Sequence, residues 1–123
     1  MPADPSLSPM PFFYEAAAGG KLMLRRCVDT GRAFHYPRNH SPFTGGETEW
    51  FEASGRGIIY ACSLLMRADP PYCLAYVRLE EGPLMLTNVE ADDLASIEIG
   101  QPVIVAFRTD AAGRVVPIFR QQD

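Results

Sequence analysis

Two turns in the first half of the chain have the same form: Cys27-Val28-Asp29-Thr30-Gly31 and Ser41-Pro42-Phe43-Thr44-Gly45. In each turn, two positions of the kind that hold metal ligands are separated by two residues and followed by a glycine. This spacing is typical of the paired knuckles of a zinc ribbon, in which four ligands surround one tetrahedral ion. The two turns therefore predict a ribbon-like segment built on short strands.

Only one of the four ligand positions in these two turns holds a cysteine. The four positions are occupied by Cys27, Thr30, Ser41 and Thr44. Hydroxyls are weak ligands for zinc, so we expect no metal here, with the Ser and Thr hydroxyls bonded to backbone amides instead. We also expect aromatic side chains to replace the metal by apolar burial. These are Phe34, Tyr36, Phe43, Trp50 and Phe51.

The sequence also offers a second set of possible zinc ligands. Cys27 could be joined by His35, His40 and Asp29, which together offer thiolate, imidazole and carboxylate groups that zinc binds. Neither histidine occupies a knuckle position, so metal-free turns are our first expectation.

Size and charge limit the classes of function. The chain has 123 residues, 47% of them apolar, and a net charge of −4, enough for one ordinary core. A nucleic-acid-binding protein usually has a basic face, which this balance does not supply, so we expect no nucleic-acid partner. One local basic cluster is either a solvated face or a site for a phosphorylated ligand. It comprises Lys21, Arg25, Arg26, Arg32 and Arg38.

Cysteine usage and hydropathy predict a cytoplasmic protein that does not enter a membrane. The three cysteines, Cys27, Cys62 and Cys73, are odd in number and have no framework spacing. Cys62 and Cys73 lie in strand-like runs and are expected to be core residues. The first residues lack the pattern of a signal peptide, and no run approaches the roughly 20 apolar residues of a membrane span.

The remaining pattern predicts a mainly β chain. Residues 1–20 read as a lead-in and one short helix, with helix formers at residues 12–18 stopped by Gly19 and Gly20. Extended runs at residues 21–26, 33–36 and 49–53 flank the two turns. Residues 21–53 therefore form the predicted ribbon-like segment.

Residues 54–123 predict a five-stranded barrel. Strand-like runs cover residues 58–66, 72–79, 84–89, 103–108 and 115–119, with a short helical connection at residues 92–97. A three-stranded meander, a helical connection and a closing hairpin are typical of the Greek-key barrel of the oligonucleotide/oligosaccharide-binding (OB) fold.

Several stretches occur in a distinctive order along the chain. They are Phe12-Phe13-Tyr14-Glu15, Gly20-Lys21-Leu22, Arg26-Cys27 with Gly31, Tyr36-Pro37-Arg38, Gly45 with Glu49-Trp50, Ala53-Ser54-Gly55-Arg56-Gly57, and residues 81–88 and 99–103. In this order the chain resembles the family called domain of unknown function 35 (DUF35), a rubredoxin-like zinc ribbon joined to an OB-fold. The family's four cysteines fall on Cys27, Thr30, Ser41 and Thr44.

The resemblance implies a non-catalytic accessory subunit of a complex that handles acyl-CoA. Such a chain docks a thiolase-like acyltransferase or a hydratase-like chain and helps to bind CoA or acyl-CoA. The phosphates of CoA bind Arg and Lys, and its adenine stacks on aromatic rings. The candidate ligand-binding residues are Lys21, Arg25, Arg26, Arg38, Trp50, Tyr76 and Asn88.

The sequence leaves two other functions to consider. The chain has no nucleophile–base pair, HExxH motif or Gly-rich phosphate loop, so we expect no catalytic residues and rank an independent enzyme last. An OB-fold nucleic-acid-binding protein is the alternative, because aromatic barrel faces stack bases. Exposed apolar surface intended for a partner would also allow homo-oligomers of the isolated chain.

Overall fold

The computed structural model describes residues 9–122 and contains one α-helix, one 3₁₀-helix and eight strands within that range. The elements in chain order are α1 (Met10–Ala18), β1 (Met23–Cys27), β2 (Ala33–Phe34), β3 (Thr48–Glu52), β4 (Arg56–Leu65), β5 (Tyr72–Leu79), β6 (Leu84–Glu90), the 3₁₀-helix (Leu94–Ser96), β7 (Pro102–Thr109) and β8 (Val115–Gln121). Most of the predicted lead-in lies in residues 1–8, outside the described residues.

Helix α1 ends where the double glycine predicts. Gly20 has a φ of 81°, a left-handed conformation that glycine adopts without steric cost. The N–H of Lys21 then donates to the carbonyl of Ala16 at 3.0 Å, which closes the C-terminus. Phe13 and Ala17, four residues apart and therefore on one face, are both buried. The short helix is thus held by packing, since nine residues are too few to be stable alone.

The ribbon-like segment forms an antiparallel three-stranded sheet in the order β2-β1-β3. Each knuckle closes on its glycine: the Gly31 N–H donates to the Cys27 carbonyl at 2.8 Å, and the Gly45 N–H donates to the Ser41 carbonyl at 2.9 Å. Strand β2 has only two residues, fewer than the predicted run of residues 33–36. The two turns therefore close with the same backbone hydrogen bond, from the glycine N–H to the carbonyl four residues earlier.

The second sheet is a closed barrel with the strand order β4-β5-β6-β8-β7. The three strands β4, β5 and β6 form an antiparallel meander, with a bulge in β4 between Ile59 and Ala61. Strands β7 and β8 form the closing hairpin, and the 3₁₀-helix connects β6 to β7. The predicted fold class, mainly β with a five-stranded OB-fold barrel, is confirmed.

Glycine at position 57 allows two barrel strands to approach closely. A Cβ atom there would lie 2.5 Å from Val77 Cγ1 and 2.8 Å from the carbonyl oxygen of Arg78. One hydrophobic core extends from the helix into the barrel and includes Phe13, Leu24 and Phe119. The ribbon-like sheet is therefore packed against the barrel rather than tethered to it. The boundaries of the predicted segments, 1–20, 21–53 and 54–123, stay predictions.

Candidate functional site

Cys27 is the one sulfur left in the knuckles. It ends β1, and its side chain is fully buried. Hydrogen bonds from the Ser41 and Thr30 hydroxyls lower the pKa of the Cys27 thiol to about 6, because they stabilise the thiolate. The Sγ atom also lies 3.6 Å from Thr44 Oγ1. Hydroxyls thus surround the sulfur where the other three ligands of a zinc ribbon would stand.

The hydroxyls are themselves fixed by the backbone. Ser41 Oγ accepts the N–H of Thr44 at 3.2 Å, and Thr30 Oγ1 accepts the N–H of Arg32 at 3.2 Å. The prediction that these side chains bond backbone amides is confirmed. Since each oxygen accepts a backbone proton, its own proton is free to be donated to sulfur. The Thr44 hydroxyl instead donates to Asp29 Oδ2 at 2.9 Å.

This arrangement does not fit a zinc ion. Zinc requires four thiolate, imidazole or carboxylate ligands, and the knuckle positions supply one thiol and three hydroxyls. Across residues 9–122, no three His, Cys, Asp or Glu side chains converge in a way that could hold a metal. The structure therefore does not bring together the side chains of the alternative set, Cys27 with His35, His40 and Asp29. His40 is exposed, and His35 lines a cleft beside the barrel.

The predicted aromatic burial in the ribbon is only partial. Phe34 is buried, and Phe43 meets it edge to face with ring centroids 6.2 Å apart. Tyr36 is 54% exposed, so its predicted burial is wrong. The strand ends at Phe34, and the alternation that buries this residue does not continue to Tyr36. Trp50 and Phe51 are half-buried and pack against the main core.

The predicted basic cluster is not one surface. Arg25 and Arg26 are consecutive in β1, so their side chains leave opposite faces of the sheet. The Arg25 guanidinium lies 4.8 Å from the centroid of the Trp50 ring, and its Nε donates to Thr48 Oγ1 at 2.8 Å. Arg26 pairs with Glu49 at 2.6 Å. Both arginines therefore have partners within the ribbon.

The other predicted ligand-binding residues are divided between the two sheets. Lys21 and Arg38 are exposed and take part in none of the ion pairs within residues 9–122. The Trp50 ring contacts Phe12, with centroids 4.8 Å apart. Tyr76 and Asn88 lie on the barrel, in β5 and β6. The structure thus brings the basic residues and Trp50 to the ribbon, and it places Tyr76 and Asn88 elsewhere.

A cleft of about 460 Å³ separates the ribbon from the turn between β5 and β6. At its edge, the Arg32 guanidinium lies 3.9 Å from the centroid of the Phe43 ring. His35 and Glu81 also line it. His35 Nδ1 and Glu81 Oε1 are buried, and neither has a hydrogen-bond partner within residues 9–122. Burial lowers the pKa of His35 to about 4, so its imidazole is neutral at pH 7.

The outward side of the barrel meander is apolar, and we call it the outer face. Each of its five apolar side chains is between 38% and 54% exposed. They are Ile58, Tyr60, Leu74, Tyr76 and Leu86. Tyr76 and Leu86 are direct cross-strand neighbours in the register of β5 and β6. The Arg78 guanidinium lies 5.2 Å from the centroid of the Tyr60 ring.

A groove of about 1090 Å³ adjoins the outer face, and it is the larger of the two cavities described. Its strand side is formed by Tyr72, Leu74, Asn88 and Glu90, and its loop side carries Asp69 and Asp92. Of these residues, only Asn88 was predicted to contact a ligand. Its Nδ2 donates to the Cys73 carbonyl at 3.1 Å.

The outer face could have been found from the sequence. In β5, the inward residues Cys73, Ala75, Val77 and Leu79 are buried, while the outward residues Tyr72, Leu74 and Tyr76 are also apolar or aromatic. A strand that is apolar on both sides is typical of a strand covered on both sides.

The strand cysteines have a structural role. Cys73 is buried, and burial raises the pKa of its thiol, so it stays protonated. Cys62 is half-buried and packs against the core, as predicted. No helix within residues 9–122 combines the length and apolar character needed to cross a bilayer.

The architecture defines a class: an OB-fold protein with a ribbon-like sheet packed on its barrel. Residues 50–108 match the family model of the C-terminal OB-fold domain of ChsH2. A DUF35 domain-containing scaffold protein of Methanothermobacter thermautotrophicus is 32% identical over 91 residues, which cover 68% of each protein. The chain belongs to the DUF35 family.

Other relatives extend these similarities. A probable enoyl-CoA hydratase alpha subunit of Thermomonospora curvata is 31% identical over 117 residues, or 89% of this chain. This chain spans only 36% of that longer protein. Among solved structures, the Ltp2-ChsH2(DUF35) aldolase superposes with a TM-score of 0.81 and 28% identity, over 96% of this chain and 98% of the matched one. A DUF35 protein of Sulfolobus solfataricus, 12% identical with a TM-score of 0.69 over 91% of this chain and 84% of its own, shares the fold.

Proposed function

We propose that this chain is a non-catalytic accessory subunit of a cytoplasmic complex that acts on acyl-CoA. Its barrel docks a thiolase-like or hydratase-like enzyme through the outer face, and its ribbon contributes to the binding of CoA or acyl-CoA. The observation that carries this proposal is the outer face itself.

The outer face has the composition of a protein interface. Two tyrosines and three aliphatic side chains form its apolar surface, with Arg78 beside Tyr60. Interface centres are enriched in Tyr and Arg and poor in other charged residues. Exposed apolar side chains that cluster on one face of a sheet, rather than lying singly on the surface, mark an association site. The barrel is closed, so the face offers side chains rather than unpaired strand edges.

The names of two relatives support a docking role. One is called a scaffold protein, and the other is the DUF35 part of an assembly named an Ltp2-ChsH2 aldolase. Both names describe a DUF35 chain that works with other proteins. The hydratase alpha subunit adds a link to CoA esters, although most of that protein lies outside the matched region.

The ribbon supports the CoA part of the proposal. Lys21 and Arg38 are exposed and unengaged in the ion pairs of residues 9–122, and Arg32 lies over an exposed ring. Phosphate groups bind such side chains, and an adenine stacks on aromatic planes such as Trp50. Arg25 and Arg26 would act by holding Trp50 and the strand in place, since both are already bonded within the sheet.

A nucleic-acid-binding role is the second candidate, because Tyr60, Tyr76 and Arg78 on a barrel face could stack bases. The net charge of −4 opposes it. Salt-dependent binding of a single-stranded oligonucleotide to the outer face would favour this candidate over the first.

The test places one charge on the outer face. Tyr76→Asp is compared with Tyr36→Asp, the same change at a similarly exposed tyrosine of the ribbon (46% and 54% exposed). Thiolase-like and hydratase-like enzymes of the same organism are co-expressed singly with the tagged chain, and affinity is measured by titration calorimetry. We expect Tyr76→Asp to weaken binding of the captured enzyme by about 2 kcal/mol, or roughly 30-fold, and Tyr36→Asp to leave it near wild type.

The same preparations are titrated with CoA. Binding to the chain or to the complex supports the ribbon role, and no binding to either removes it. Equal affinities for both tyrosine variants, or turnover of an acyl-CoA by the purified chain alone, would contradict the proposal.

A further inference from the structure

We infer that the groove beside the outer face receives a partner segment that carries a Lys or Arg side chain between apolar residues. This inference rests on the proposed docking function and adds the chemistry of the segment that docks. It concerns barrel residues within 68–74, 88–94, 108 and 120–121, and none of the basic residues of the ribbon lines this groove.

The groove continues the outer face along the same strands. Leu74 stands opposite Asn88 in the register of β5 and β6, one step beyond the pair of Tyr76 and Leu86. Tyr72, the first residue of β5, follows on the same face, where the β4–β5 loop forms the rim of the groove. A segment that lies across the outer face therefore runs directly into the groove, with apolar walls at Tyr72 and Leu74.

The charges in the groove leave two carboxylates without a counter-ion. Glu90 is paired on both oxygens, with Arg108 at 2.8 Å and Arg120 at 3.5 Å. One acid therefore pairs with both arginines, and these three residues together keep one net positive charge. Asp69 and Asp92 are exposed on the rim and belong to none of the ion pairs within residues 9–122.

A cation fits this arrangement better than an anion. A ligand with several phosphates would meet Asp69 and Asp92 on the rim and would compete with Glu90 for the two arginines. The charged side chains that line the groove comprise three acids and two arginines, so its net charge favours a cation. A Lys or Arg side chain would lay its apolar stem along Tyr72 or Leu74 and place its charge near the rim carboxylates. The groove is also wide enough for a peptide segment, at about 1090 Å³.

The test uses two short peptides and the intact chain. The probes are Ac-Gly-Leu-Tyr-Arg-Leu-Gly-NH₂ and the same peptide with Glu in place of Arg, so that only the central charge differs. Binding is followed by amide chemical-shift changes at millimolar peptide concentration. We expect the Arg peptide to shift the amides of Asp69, Leu74 and Asn88 and to bind about fivefold more tightly than the Glu peptide, with the difference shrinking at high salt.

The rim carboxylates are then removed as a pair. Asp69→Asn with Asp92→Asn should abolish the preference for the Arg peptide, whereas Glu98→Gln, an exposed acid that does not line the groove, should keep it. All three positions are exposed, so the variants should fold, and circular dichroism verifies this. Equal shifts by the two peptides, shifts confined to other residues, or a preference that survives in the double variant would each overturn the inference.

The two proposals fail separately. If Tyr76→Asp loses the partner enzyme but the peptides do not differ, the docking function stands and the basic segment is wrong. If the peptides differ as expected but Tyr76→Asp still binds the enzyme, the outer face is not the docking site.

Discussion

His35 should make the stability of the chain depend on pH between about pH 6.5 and pH 4. Its pKa is lowered from the usual 6.5 to about 4 because the ring is buried in the cleft, with Phe13 and Tyr36 at centroid distances of 5.7 and 4.3 Å. Between pH values equal to these two pKa values, His35 binds a proton in the unfolded chain but not in the folded chain. The free energy of unfolding must therefore fall as the pH is lowered through this range.

The size of this effect follows from the two pKa values. For one proton, the linkage relation predicts a loss of about 1.5 kcal/mol between pH 6.5 and pH 5. The loss grows toward about 3 kcal/mol as the pH approaches 4. Below that range, carboxylates also contribute. Hydrogen bonds from the backbone N–H groups of Arg114 and Ala112, together with the Arg114 charge, lower the pKa of Asp110, so its stabilisation is also lost in acid. Between pH 6.5 and 5 the Cys27 thiol, whose pKa is about 6, also loses stabilisation, so the contribution of His35 is the difference between the wild type and a variant that lacks the histidine.

The perturbation that removes this dependence is His35→Phe. Phenylalanine suits the aromatic surroundings and eliminates an Nδ1 atom that has no hydrogen-bond partner within residues 9–122. We therefore expect stability at pH 7 to be retained or raised. Urea unfolding at half-unit pH intervals measures the slope, with His40→Gln, at the exposed second histidine, as the control. If the wild type and His35→Phe lose the same free energy between pH 6.5 and 5, burial of His35 is not the cause.

Two further predictions concern the knuckle and the barrel. Since the pKa of the Cys27 thiol is lowered from about 9 to about 6, stability should rise with pH between these values. Cys27→Ser should flatten that rise in stability, measured by urea titrations. An unchanged rise would contradict the argument that ionisation of Cys27 in the folded chain causes it. Gly57→Ala should cost about 1–3 kcal/mol, because its Cβ would lie 2.5 Å from Val77 Cγ1. Gly19→Ala, whose Cβ meets nothing closer than 3.4 Å, is the control, and equal melting temperatures for the two variants would refute the packing argument.

The barrel was predictable because each strand carries its own signal. Strand β5 spans Tyr72–Leu79, the same residues that the pattern predicts, since alternating inward residues must be small or apolar in a closed barrel. Strand β2 was overestimated because its length depends on pairing with β1, where only Arg25 and Arg26 face it. Pairing partners are distant in sequence, and local composition does not report them.

The site was less predictable for the same reason. The opposite orientation of Arg25 and Arg26 follows from strand geometry and could have been anticipated. The engagement of Arg26 by Glu49 could not, because 23 residues separate them. The charge balance of the groove likewise depends on loops and strands from four parts of the chain, including Asp69 and Arg120. Such a balance exists only after folding.

The pairing between β6 and β8 is the shortest strand pairing in the barrel. These strands run parallel and share only the pairs Val89–Phe119 and Glu90–Arg120, whereas β7 and β8 share seven pairs. Thermal opening of the barrel should therefore begin between β6 and β8, at a free-energy cost well below that of global unfolding. Because Glu90 and Arg120 also line the groove, a ligand that binds there should change the free energy of this opening. A ligand that separates β6 from β8 would destabilise the whole barrel, and a ligand that contacts both strands would stabilise it.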